Sequence, residues 1–535
     1  MFLKKRNNLK TIMKKIYDYI IIGSGSSGGV LASRLSENSN NQVLLIEAGN
    51  TFETVDDIPD VLKKGMATGA DWSGNLAVGT QFDWKYKAIS NEKFKNMGVP
   101  RGKVIGGTSS INGQVFIRAI PEDFENWNRK GLDNWSYKEC LKYYIKLEND
   151  LDFNNEFHGN EGPIPVRRHK IDTLLEDQLA FYESVQEMGF PVTEDHNLPY
   201  SEGVGPLPLN NVNGMRWSTG ISYVIPALHR DNLEVLSNTI CEKIIIDNGI
   251  QRGVILKDGN VFEGNEIILS AGAVESPKLL LNSGVGDKDS LSNIGINHVH
   301  QLPGVGLNLS DHPAVELVWK SSEKLLDQLS DVGAQKVGLR YTSENSDDRL
   351  DMMSVMRFKP AGVSNEEYII NSDSKESNIA ITTGLYLAKS HGKLSLNPEN
   401  PKGSPIINYN YLNNDYDTER LINGIKLNYE IARNSKFDSF REDLIEPFPE
   451  ALEDEKLLRY WINSKVHTMH HISGTCKMGS EDDENAVTNK HGKVHGIEGL
   501  RVVDCSIMPD CVRANTNATA IMMGEKISDH IKFGE

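Results

Sequence analysis

No stretch of this 535-residue chain approaches the roughly 18 consecutive apolar residues that a membrane-spanning helix needs. Cysteine is scarce as well: the five present (Cys140, Cys241, Cys476, Cys505, Cys511) are far apart and form no Cys-x-x-Cys. An odd, dispersed set argues against a disulfide framework or a structural zinc centre and fits a reducing, cytoplasmic setting. A positive charge balance is also lacking. The formal net charge of −17 repels nucleic acid and anionic membranes, so neither is expected as the main partner. No internal repeat or low-complexity block stands out. Residues 1–15 carry six Lys/Arg but no apolar core, which excludes a secretory signal. Residues 1–13 are expected to be a loose extension, with Met13 as an alternative start. What is present is 39% hydrophobic and 24% charged, the composition of a soluble globular chain with room for two or more packed units.

The strongest positive signal lies within the first fifty residues. The run Tyr17-Asp18-Tyr19-Ile20-Ile21-Ile22 stops at Gly23-Ser24-Gly25-Ser26-Ser27-Gly28, and Glu47 follows nineteen residues after Gly28. A buried strand feeding a helix through Gly-x-Gly-x-x-Gly is a dinucleotide-binding fingerprint. Gly23 permits the tight turn, Gly25 lets the backbone approach a pyrophosphate, and Gly28 lets helix and strand pack closely. The helix N-terminus then offers unpaired N–H groups to phosphate. The next strand, residues 42–46, ends at Glu47, placed to accept hydrogen bonds from ribose hydroxyls. Its carboxylate disfavours the 2′-phosphate of NADP and leaves NAD or FAD.

Further along, a second Gly-rich element spans residues 101–113, preceded by a loop-rich stretch (50–96) that carries Trp72, Phe82, Trp84 and Tyr86. A helical region is expected over 122–150, and Pro-Gly punctuation at 162–165 and 203–208. Residues 233–236 and 266–269 read as strands, the latter running through a small-residue turn into an apolar helix at 278–281. From about 315 to 461, short alternating segments such as 350–355 and 378–382 predict an antiparallel sheet, with helices near 418–433 and 453–463. The α/β texture returns with a strand at 500–504 and a helix at 518–531. The expected plan is α/β, α+β overall: a Rossmann-like nucleotide domain in three pieces (14–160, 221–314, 465–535) with an antiparallel-sheet substrate-binding domain inserted (161–220 as segment and linker, 315–464).

The densest constellation of reactive groups is His467-Thr468-Met469-His470-His471-Ile472-Ser473-Gly474-Thr475. On a helix, His467, His470 and His471 would share a face suited to a metal. Poor helix formers follow, however, and no carboxylate lies within the cluster, so no metal is expected. Satisfied loop imidazoles are the bland alternative. The functional one is a neutral imidazole, poised near physiological pH, acting as general base. Asn515 and Asn517 precede the last helix and suit a cap.

Together these motifs resemble the glucose–methanol–choline (GMC) oxidoreductase family of FAD-dependent alcohol oxidases and dehydrogenases. The resemblance rests on 23–28 with Glu47, on 102–112, on Gly272-Ala273-Val274-Glu275-Ser276-Pro277, on His471 followed by Ser473-Gly474-Thr475, on 504–509 and on Asn515-Thr516-Asn517. It runs over nearly the whole chain and is nearest the choline dehydrogenase-like and the bacterial aryl-alcohol or hydroxymethylfurfural oxidase branches; His158-Gly159-Asn160-Glu161-Gly162-Pro163 is similar to the latter. The resemblance implies His471 and Asn515 as the catalytic pair. It implies FAD contacts at Gly23, Ser24, Gly25, Ser26, Ser27, Gly28, Glu47, Ala48, Val104, Thr108, Asn112, Gly113, Gln114, Val115, Cys241, Ala271, Asp504, Cys505, Thr516 and Asn517. Where some members attach FAD through a histidine, Ile111 stands here, so non-covalent FAD is implied.

The expected reaction is oxidation of a primary alcohol to an aldehyde. His471 takes the hydroxyl proton, hydride passes to flavin N5, and Asn515 supports the developing charge. Oxygen, or a quinone or other carrier, would reoxidise the flavin. A hydroxynitrile lyase or a non-catalytic flavoprotein on the same scaffold are the alternatives, and a nicotinamide enzyme accounts only for the first fifty residues.

Overall fold

The computed structural model describes residues 15–64, 77–322, 325, 336–360 and 377–534. Two seven-stranded sheets organise it. In the first, Ile16–Ile22 lies between Val43–Ile46 and Val261–Leu269, with Leu233–Leu236 outside Val43–Ile46, all parallel. Leu500–Val502 adds to Val261–Leu269 in the same direction. Parallel strands are covered on both faces and so read as unbroken apolar runs. Ile20, Ile21, Leu44, Leu45, Ile267 and Ile268 are accordingly buried completely. The helices Gly28–Leu35 and Thr516–Lys532 pack against each other beside this sheet. The antiparallel strands Cys241–Asp247 and Ile250–Leu256, which periodicity did not single out, extend it from Val261–Leu269.

The second sheet runs Arg441–Glu446, Pro313–Ser321, Ser377–Leu385, Met352–Pro360, Val337–Tyr341, Gly203–Pro206, each neighbour antiparallel. His467–Thr468 pairs with the start of Pro313–Ser321. Alternate side chains face opposite ways. On one face Ser354 and Thr383 accept hydrogen bonds from Asn428 Nδ2 at 2.9 and 2.7 Å, joining the sheet to the helix Asp415–Ala432. The other face carries Glu316 directly opposite Thr382.

Several local expectations need correction. Residues 203–208 are not simply punctuation: Gly203–Pro206 is a strand, since its backbone bonds are completed by Val337–Tyr341. The region 50–96 includes a helical turn, Asp60–Lys63, and a strand, Tyr86–Ile89; Trp72 and residues 1–13 lie outside the described residues. The stretch 122–150 divides into the helices Pro121–Arg129 and Tyr137–Leu147 and a strand Glu148–Asp150. The helix expected at 278–281 begins at Gly272 and runs through Pro277. Proline removes the donor that would reach the carbonyl four residues back, but the Thr475 hydroxyl donates to that carbonyl, on Ala273, at 2.8 Å. Among the described residues no helix is long and apolar enough to cross a membrane.

Candidate active site

The carboxyl ends of the first sheet's strands open into one continuous cavity, floored by Gly23, Gly25, Ser26 and Ser27. Gly23 adopts φ +95°, and any Cβ there would lie 2.5 Å from the Ser270 carbonyl oxygen. Gly28 works from behind: a side chain would meet the Gly23 carbonyl oxygen at 2.0 Å, so only glycine lets helix and strand close up. The second Gly-rich element lies equally close, since a Cβ on Gly107 would come within 2.8 Å of Gly25 Cα. Beyond it Thr108, Asn112, Gly113, Gln114 and Val115 line the cavity.

Glu47 and Ala48 also line the cavity, near Cys241. The Glu47 carboxylate already accepts from the Ser24 N–H (2.9 Å), the Ser24 hydroxyl (2.6 Å) and the Gly49 N–H (2.8 Å), and its burial pushes the pKa up. It therefore braces the fingerprint turn as well as facing the cavity. Ala271, Asp504, Cys505, Thr516 and Asn517 complete the wall. Asp504 accepts from Gly272 N–H at 2.9 Å and the Ser276 hydroxyl at 2.6 Å, tying the last strand to the helix Gly272–Asn282. Of the residues expected from the sequence, Ser24, Gly28 and Val104 stand behind the cavity surface, and the rest are on it.

At the other end the three histidines separate. His467 belongs to a strand and His470 has φ +70°, so they share no helix face. His471 Nε2 lies 3.2 Å from Asn515 Nδ2, and His471 Nδ1 lies 2.8 Å from His312 Nδ1. An amide nitrogen only donates. Nε2 is then the acceptor, Nδ1–H of His471 donates to His312, and Nε2–H of His312 points to Cys511 Sγ, 3.1 Å away. Asp311 accepts the His471 backbone N–H at 2.7 Å. Burial, with His312, His470 and Arg101 nearby, drives the His471 pKa well below 6.5. The expected value near physiological pH is corrected: the imidazole is neutral far below it, because desolvation disfavours its cation. Asn515 occupies the cap position of the last helix, yet its side chain makes no capping bond, and the Asn517 Oδ1 accepts from the Ser26 hydroxyl at 2.7 Å. Neither performs the expected cap; both amides are turned to the cavity region.

Sequence reasoning missed Trp84, Tyr86, Arg101, Glu316, Arg357 and Thr382, all of which line the cavity. Arg101 opens the second Gly-rich element, a signal that was available. The last three meet only through strand register.

Among the described residues, Glu148, Asp150 and His158 bring ligand atoms close enough for a metal. Arg118 pairs with Glu148, and Arg168 with Asp150 and Asp195, while His158 contacts all three acids. With His158 protonated, three cations face Glu148, Asp150 and Asp195, with Asp152 3.6 Å from Arg168 at the edge, so the cluster is an ion network.

The cavity suits a flavin dinucleotide. Asn515 Oδ1, Asn517 Nδ2 and Arg101 Nη2 are buried and lack a partner among the described residues, while their residues line the wall. A glycine floor at a helix N-terminus and unmatched amide and guanidinium groups complement phosphates and ring carbonyls.

Comparison with known proteins agrees. Family models described as GMC oxidoreductase match residues 17–314 and 388–524. Oxygen-dependent choline dehydrogenases of Sinorhizobium fredii and Rhizobium meliloti are each 35% identical, over 96% of this chain and 95% of theirs. The fold is that of pyridoxine 4-oxidase from Mesorbium loti (TM-score 0.85, 24% identity, 97% and 100% of the two chains). It is also that of an Aspergillus oryzae formate oxidase (TM-score 0.84, 23% identity, 97% and 98%). The chain belongs to the GMC oxidoreductase family. It is an FAD-dependent oxidoreductase acting on CH–OH donors.

Proposed function

We propose that the enzyme oxidises a primary alcohol to an aldehyde, with His471 as general base and Asn515 as its partner. The carrying observation is the 3.2 Å approach of Asn515 Nδ2 to His471 Nε2 beside the cavity. A substrate hydroxyl bridging the two would donate its proton to Nε2 and accept from the amide. His471 is neutral and so ready to accept, and His312 holds the tautomer that leaves the Nε2 lone pair on the cavity side. Asn515 donates to an oxygen whose charge grows as the proton leaves, a preorganised contact that favours the transition state. Once His471 is protonated, its Nδ1–H remains bonded to neutral His312, with the Asp311 carboxylate on its backbone. FAD, when bound, supplies the two-electron acceptor for the hydride of the carbinol carbon.

Supporting the non-covalent cofactor, Ile111 lines the cavity and has no group able to bond the flavin. Oxygen, or a quinone or other carrier, is the proposed terminal acceptor. The free state of all five cysteines supports a cytoplasmic location. The proposed substrate-binding pieces are 161–220 and 315–464, supported by the seating of Gly203–Pro206 in the antiparallel sheet, with the FAD-binding pieces at 14–160, 221–314 and 465–535. Anaerobic bleaching of the bound flavin by a primary alcohol tests the function. Bleaching is expected; its absence with every alcohol tried, alongside cyanohydrin cleavage, would establish the lyase alternative.

A further inference from the structure

We propose that the substrate is an uncharged alcohol bearing a second oxygen, held by the Glu316–Arg357 pair, and that quaternary-ammonium alcohols are disfavoured. The inference rests on the alcohol-oxidising reading of the same cavity.

Strand register builds the recognising wall. Glu316 sits opposite Thr382, while Arg357 pairs with Ala380, two residues before Thr382 and so on the same face. All three line the cavity that holds His471. The connection to the reactive end is direct, because His467 pairs with Ala314, two residues before Glu316, on the strand preceded by Asp311 and His312. Glu316 bonds the Arg357 guanidinium and accepts from the Thr382 hydroxyl at 3.2 Å, with His467 Nε2 at 3.9 Å. The pair is charge-balanced and shielded, with side-chain exposures of 4% and 15%.

To offset its desolvation a permanent cation is held by a free carboxylate or by open aromatic faces, and on this cavity Trp84 is stacked with Tyr86 and already carries Lys103 Nζ 4.9 Å from its ring. Among the described residues, the carboxylates lining the cavity are Glu47, Glu275, Glu316 and Asp504. Each is engaged by the chain itself: Glu47 by Ser24 and Gly49, Glu275 by the Tyr86 hydroxyl (2.6 Å) and Lys278 (3.0 Å), Asp504 by Gly272 and Ser276, Glu316 by Arg357. A hydroxyl or carbonyl meets no such penalty. It takes a guanidinium N–H, and a hydroxyl can also donate to the carboxylate.

Three alcohols of matched shape separate charge from hydrogen bonding: choline, its carbon isostere with tert-butyl in place of trimethylammonium, and that isostere with one methyl exchanged for hydroxyl. Anaerobic stopped-flow reduction of the holoenzyme gives kcat/KM for each. The hydroxyl compound is expected to exceed the tert-butyl alcohol, and that alcohol to exceed choline, by about tenfold per step. Arg357→Met, checked for retained FAD, releases the Glu316 carboxylate and should invert the order, raising choline by about tenfold. Arg357→Lys should keep the wild-type order and serves if Arg357→Met loses its flavin. Choline leading in the wild type, or an order unmoved by Arg357→Met, overturns the proposal. So does flavin reduction by other primary alcohols but by none of these three. Failure of every primary alcohol to bleach the flavin instead overturns the oxidation reading beneath it.

Discussion

The first sheet meets the cavity with the ends of its strands, the second with a face. At the strand ends, the contacts come from backbone, from glycine turns and helix N-termini, held in place by the side-chain carboxylates of Glu47 and Asp504 that clamp the loops. On the face, contacts come from side chains at alternate positions, Glu316, Thr382 and Arg357. Backbone sites tolerate little change at glycine but ask little of the neighbouring side chains, which suits a cofactor of fixed shape. A face can be rewritten one residue at a time, which suits a variable substrate. Between the two lie His471 and Asn515, the first beside the second sheet and the second opening the last helix beside the first.

The comparison breaks most sharply at that junction. His471→Ala should keep its FAD yet slow flavin reduction by alcohol on the order of 10²–10⁴-fold, read by anaerobic stopped flow. His467→Ala and His470→Ala should cost less; equal collapse for all three would remove His471's special role. Asn515→Ala should slow the same step by roughly 10–10³-fold. If both residues serve one hydroxyl, the double variant will show less than the product of the single effects. A first-sheet change should act on the cofactor instead. Glu47→Ala leaves the Ser24 and Gly49 donors unmatched and should weaken FAD binding by about tenfold in reconstitution titrations, with a smaller effect on chemistry at saturating FAD.

Smaller effects concern pH. His471 lies well below 6.5, so its base form is complete throughout the neutral range. The reduction rate should therefore not decline between about pH 8 and 6. An inflection near 6.5 that disappears in His471→Ala would contradict that burial. The smallest shift belongs to the ion network away from the cavity. Asp150, Asp195 and Glu148 raise His158 from 6.5 to about 10. A raised folded-state pKa stabilises fully below the unfolded value and is lost as pH climbs through the folded one. Between about pH 7 and 10, Tm should fall more steeply in the wild type than in His158→Gln, by differential scanning calorimetry; parallel profiles would show that His158 carries no charge there.

Much of the flavin end was legible because its signals are local. A strand, a turn and a helix occupy consecutive residues, and apolar runs announce parallel strands whatever surrounds them. Gly23, Gly25 and Gly28 could be given separate tasks from spacing alone, and His471 stood out with its Ser-Gly-Thr sequel. Local signals failed where backbone bonds are completed from afar, as at Gly203–Pro206, or where a distant hydroxyl repairs a proline, as Thr475 does at Pro277.

By itself, then, the sequence determined the dinucleotide fingerprint, the alternation of an antiparallel region and the identity of the residues able to do acid–base work. Tertiary structure alone decided which of them meet. His312 reaches His471 across 159 positions and Asn515 reaches it across 44. Glu316, Arg357 and Thr382 share a wall only through the pairing of three strands, and slipping one of them by a residue would turn its side chains to the opposite face. The physical reason is range. Periodicity and turn chemistry act over a few residues, while register and desolvation are set by the packing of the whole chain.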